Sequence, residues 1–188
     1  MITLEKIKVF DSFNGDIDGY LRTERKYHEN LFEDNEWLLI GSFYQDIELI
    51  SKHLVGETYI EQVIVNLKEK FDKESFEMLA GKFDFYKDFQ NVADILIRIK
   101  SCLSPDSDII GAGQDNTDEF TEDLNKDIQH IQNCSFIVLS DIYTKFLPAG
   151  TYQEISMSNG WGNEYVNLST KFEKVHERLI QRKGKINT

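Results

Sequence analysis

Seven carboxylates, Asp106, Asp108, Asp115, Asp118, Glu119, Glu122 and Asp123, stand between Pro105 and Asn125 with no Lys or Arg among them. Asp127 prolongs the run beyond Lys126. Charges of one sign attract basic surfaces over a distance and repel one another. Surface helices commonly mix signs, as residues 68–73 do, and this run does not. It is read either as a solvated face or as a surface that steers a basic partner. On the second reading the contact residues are these seven acids together with Phe120, whose ring supplies dry contact that charge alone lacks.

A second constellation has the spacing of metal chemistry. Asn14-Gly15-Asp16-Ile17-Asp18-Gly19-Tyr20-Leu21 resembles the front of an EF-hand calcium loop. Asn14, Asp16 and Asp18 stand at ligand positions one, three and five, and Gly19 stands at the sharp turn. The twelfth position, where a bidentate Glu closes such a loop, holds Arg25, and Glu24 falls one residue early. A cation in place of that ligand repels calcium, so no metal is expected. An Asx-rich turn between helices accounts for the same residues.

The remaining reactive residues form no pattern. His28, His53, His130 and His176 are scattered without His-x-x-x-His spacing, and Cys102 and Cys134 form no Cys-x-x-Cys. Zinc ligation therefore has no support, and His53 and His176 are expected as exposed titrating groups. The cysteines read as buried free thiols, which implies a reducing, cytoplasmic compartment. Gly111-Ala112-Gly113 lacks the Gly and Lys that a phosphate loop requires and is read as a turn. Trp161, between Gly160 and Gly162, is either a core plug or an aromatic anchor for a protein partner. No catalytic residue and no cofactor site is assigned.

Around these residues the chain has 188 positions, a hydrophobic fraction of 40% and a formal net charge of -12. That size supports one domain over 1–188 with a real core. The charge disfavours nucleic acid and anionic lipid as partners. Met1 to Lys8 carries no signal-peptide pattern, and no apolar run approaches the ~20 residues of a membrane span.

The elements that must position the acids are helices. Apolar residues recur at three- and four-residue spacing, and Pro105 and Pro148 are the only prolines. The spacing predicts helices over Ile2–Phe13, Glu36–Val55 with Gly56 as its stop, and Tyr59–Phe71. A short segment around Phe76 and Leu79 ends near Gly81. Further helices are expected over Asp84–Leu103, from an Asn116 cap through Ile131, over Ser135–Leu147, and over Asn163–Lys183. Gly150–Gly162 is read as a connection. The sum is a mainly α protein, a compact multi-helix bundle or stacked-helix array of about six to eight helices.

With its acidic run, its aromatic richness, its lack of a catalytic motif, and segments such as Asn14-Gly15-Asp16-Ile17-Asp18-Gly19-Tyr20 and Trp37-Leu38-Leu39-Ile40-Gly41-Ser42-Phe43, the chain resembles bacterial immunity proteins of contact-dependent inhibition systems. That resemblance implies an acidic cytoplasmic protein that occludes a cognate toxin, often a basic nuclease domain, without a cofactor. Two other classes stay open. One is a helical scaffold or regulatory protein without catalysis. The other is an enzyme or calcium-binding protein that uses Asn14, Asp16 and Asp18.

Overall fold

The structure is a computed structural model that describes residues 1–11, 32, 36–51, 55–83, 85–114 and 116–186. The calcium-like loop, with Asn14, Asp16, Asp18 and Arg25, lies outside the described residues, as do His28, His53 and Asp115. The chain is mainly α, and among the described residues the only β pairing is one isolated parallel bridge, Ile2 with Phe71. It divides into two compact units, Met1–Asp84 and Phe85–Thr188.

The first unit holds α1 (Leu4–Asp11), α2 (Glu36–Ser51), α3 (Glu57–Lys70) and α4 (Lys73–Ala80). α1 packs on α2 and α4, and α3 packs on both α2 and α4. The expected stripes point inward, with Ile7, Phe43, Ile47, Ile64 and Leu79 all buried. Phe71 differs from expectation. It leaves the helix and becomes extended, because Ile2 donates to the Lys70 carbonyl at 2.9 Å and accepts from Asp72 N–H at 3.0 Å. Phe71 then meets Phe43 edge to face at 4.9 Å between centroids. Asp72 caps α4 by accepting from Ser75 N–H at 2.8 Å, one of the four orphan donors of a helix start. Ser75, through its side chain first and its backbone N–H second, holds the Asp72 carboxyl below the usual range. Gly56 precedes α3 in extended conformation, so it serves the start of that helix, whereas α2 is helical to Ser51.

The second unit holds α5 (Tyr86–Ser101), a 3₁₀ turn (Ile110–Ala112), α6 (Thr117–Gln132), α7 (Phe136–Phe146), α8 (Thr151–Ser158) and α9 (Gly162–Ile186). Nine α-helices thus occur among the described residues, one more than the upper expectation. The extra one is α8, in the stretch read as a connection. Its buried residues are Tyr152, Ile155 and Ser156, a single turn's worth of pattern. α5 packs on α6 and α9, α7 on α6 and α8, and α8 on the 3₁₀ turn. Phe89 and Phe136 meet edge to face at 4.9 Å, and Phe146 stacks on Phe172 at 4.1 Å. The Tyr165 hydroxyl donates to the Phe146 carbonyl at 3.1 Å, which satisfies a polar atom inside that stack.

One charged group is buried where α5 meets α9. Asp88 is 7% exposed. Arg178 grips its carboxylate with Nη2 at 2.7 Å and Nε at 3.2 and 3.3 Å, and Arg182 Nη1 adds a contact at 2.9 Å. A carboxylate taken out of water requires such partners. Arg178 and Arg182, near the end of α9 where cations also complement the helix dipole, thus serve this clasp.

Candidate functional site

The acidic run forms an edge of the second unit, built from the loop that follows α5 and the first turns of α6. The loop is pinned at both ends. On one side Asn159, just past α8, accepts from Asp108 N–H at 2.8 Å and donates to the Asp108 carbonyl at 2.7 Å. Its amide also donates to the Ile155 carbonyl at 2.8 Å, so the clamp is itself fixed. On the other side the Thr117 hydroxyl reaches the Pro105 and Ser107 carbonyls at 3.3 and 3.4 Å. Within the loop, Asp108 accepts from Ile110 N–H at 3.1 Å, the local turn that short acidic side chains favour.

α6 starts as its sequence dictates. Asn116 accepts from Glu119 N–H at 2.8 Å, and Asp118 and Glu119 occupy the first turn, where the helix dipole favours anions. Asp106, Asp108, Asp118 and Glu119 are exposed, and none forms an ion pair with a described residue.

The other expected contact residues behave differently. Lys126 bridges to Asp123 at 3.0 Å and to Glu122 at 3.4 Å. Asp123 also accepts from the Gln114 amide at 2.7 Å. The Lys126 ammonium holds the Asp123 carboxyl below its usual range. Asp127 is paired with Lys145. The run is therefore of one sign only at its start, because Lys126 and Lys145 fold back over its end. Phe120 is buried with Leu124 and Ile128 in the core stripe of α6, so it offers nothing to a partner. A period of 3.6 residues puts acids and apolar residues on opposite faces, which sequence adjacency hides.

The residue that sequence reasoning missed is Ile110. Ile109 is 5% exposed and anchors the turn, while Ile110 beside it is 83% exposed. Met157, on α8 against the same turn, is also exposed. The signal was available in the paired isoleucines inside a short acidic loop, of which a tight turn can bury one. An exposed apolar tip on a pinned loop that also carries the unpaired carboxylates of Asp106 and Asp108 has the makeup of a protein contact.

The other candidates separate cleanly. Among the described residues no group of His, Cys, Asp and Glu could hold a metal ion. His176 is half-buried, contrary to expectation. It stacks on Tyr143 at 4.3 Å and lies 5.6 Å from the Phe172 ring, and burial pushes its pKa down. Cys134 is buried, whereas Cys102 is only half-buried. Trp161 is also half-buried, with its indole N–H covered and unpaired among the described residues. No described helix is long and apolar enough to cross a membrane. No protein-family model, curated protein or solved structure matches the chain.

Proposed function

We propose that this protein is an acidic, cytoplasmic binding protein. It docks a basic protein partner on the edge formed by Asp106, Asp108, Asp118, Glu119 and Ile110. The partner we assign is a toxin nuclease domain, which the protein neutralises by covering its active-site surface, as an immunity protein does. Occlusion needs neither a catalytic step nor a cofactor. The helices of the second unit act as the bundle that holds the edge rigid. The observation that carries the reading is Ile110, 83% exposed on a pinned turn among carboxylates that no described cation neutralises. Preorganised charge raises the association rate, and an apolar anchor slows release.

The test starts with capture of the partner from the native cell by the full-length protein, followed by mass spectrometry and association kinetics. A basic protein should be retained. The triple reversal D106K/D118K/E119K should slow association roughly tenfold or more at low salt, with less effect at high salt. Ile110→Ser should mainly raise the dissociation rate. Retention of no basic protein, or unchanged rates in both variants, would remove the edge from any interface.

A further inference from the structure

A groove about 500 Å³ in volume runs along α9 beside α5. It lies apart from the acidic edge and opposes the charge of the chain as a whole. Its floor is aliphatic, made by Ile95 from α5 and by Leu168 and Val175 from α9. Its rim is cationic, with Arg98, Lys171, Lys174 and Arg178 against the acids Asp94 and Glu164. Two of these cations are committed. Arg98 Nε donates to Glu164 at 2.7 Å near one end, and Arg178 holds Asp88 near the other. The ammonium groups of Lys171 and Lys174 lie between them, exposed, and pair with no described residue. Residues three apart are neighbours on a helix surface, so the two ammonium groups can share one anion.

The dimensions choose the occupant. From Glu164 to Arg178 the helix rises roughly 21 Å. Spread over that length, the roughly 950 Å³ of space between the atoms leaves a mean section of about 45 Å². An α-helix some 10 Å across fills about 80 Å², so a partner helix cannot sink into the groove, whereas a single extended chain can. The floor has no aromatic face on which a base or ring could stack.

We propose that this groove binds a single-chain aliphatic carboxylate. Lys171 and Lys174 hold the carboxylate, and the hydrocarbon lies over Ile95, Leu168 and Val175. The site is independent of the partner-docking edge. It would make the second unit responsive to a fatty-acid-like ligand.

The experiment titrates the full-length protein with dodecanoate below its micellar range, followed by calorimetry and by amide shifts in heteronuclear NMR. Saturable one-to-one binding is expected, with shifts confined to α5 and α9. K171E/K174E should weaken it at least roughly tenfold, since each ammonium contributes a charge-assisted contact. Circular dichroism of that variant should match the parent. Acetate should neither bind measurably nor compete, because it lacks the chain. D106K/D118K/E119K should bind dodecanoate as the parent does, so loss of either site is told from loss of the other. Sedimentation with phosphatidylglycerol vesicles separates a free ligand from a lipid surface, and no co-sedimentation is expected. Absence of binding, equal affinity in K171E/K174E, competition by acetate, or vesicle binding in place of dodecanoate binding would each overturn the proposal.

Discussion

Replacing Asp88 with alanine removes the buried carboxylate that ties α5 to α9. Its side chain is 9% exposed, while Arg178 and Arg182 are 47% and 28% exposed. A fully buried pair broken on one side costs about 3–5 kcal/mol, because the surviving charge is stranded. A surface pair is worth about 0–1 kcal/mol. Here the surviving charges are the arginines, and both reach water once released, so the stranding cost is only partial. The lost bonds are charge-assisted and the acceptor is dry, which lifts the value above the surface case. We expect a loss of about 2–3 kcal/mol for Asp88→Ala, and about half of that for Asp88→Asn, which keeps the shape. The two tryptophans, Trp37 and Trp161, lie in different units. A Trp37→Phe background therefore leaves Trp161 to report urea unfolding of the second unit alone. Little dependence on salt is expected, since the pair is shielded from ions. A loss below about 0.5 kcal/mol would show that the clasp behaves as a surface pair. So would a double-mutant cycle giving negligible coupling between Asp88 and Arg178.

His176 is held below its ordinary pKa by burial, so the folded chain binds fewer protons there than the unfolded chain. Its contribution is complete above the unfolded value of about 6.5 and declines as pH falls below it. His176→Phe should flatten the fall in melting temperature between pH 7.5 and pH 5, and an unchanged slope would contradict this. The cap Asp72 has a depressed pKa, so its stabilisation is present above about pH 4 and fades below. Asp72→Ala should cost about 1 kcal/mol near neutrality and less at pH 3 in urea titrations at both values. Gly150→Ala would bring its methyl group within 2.7 Å of the Leu147 and Lys145 carbonyls and 2.9 Å of Thr144. We expect it to destabilise by about 1–3 kcal/mol, measurable as a lowered thermal midpoint, and a neutral result would mean the α7–α8 corner yields.

The helical class and the core are legible in the sequence because both are local patterns. Leu96 and Leu124 are buried as mid-stripe positions must be, and Asn116 caps α6 on Glu119 N–H as its spacing predicts. What distant residues decide is not legible. Phe71 leaves α3 because Ile2 pairs with its backbone, and Asp88 is buried because Arg178 and Arg182 arrive from α9. α8 was hidden by its length, since Tyr152 and Ile155 span one turn. At the acidic edge the sequence showed the charges but not their partners. Lys126 folds back over Glu122 and Asp123, Phe120 turns inward, and Ile110 turns outward.

The Asp88 clasp joins positions ninety residues apart. Such contacts are late in folding, because a long loop must close before they form. At synthesis rates of roughly 5–20 residues per second, Arg178 follows Asp88 by about 5–20 s. The first unit can complete its Ile2–Phe71 pairing and its α4 cap in that interval. α5, though finished, still lacks α9, which brings Arg178 and Arg182, the counterions of Asp88. On a translating ribosome the two units are therefore separated in time, with the second depending for seconds on whatever shields its unfinished apolar faces.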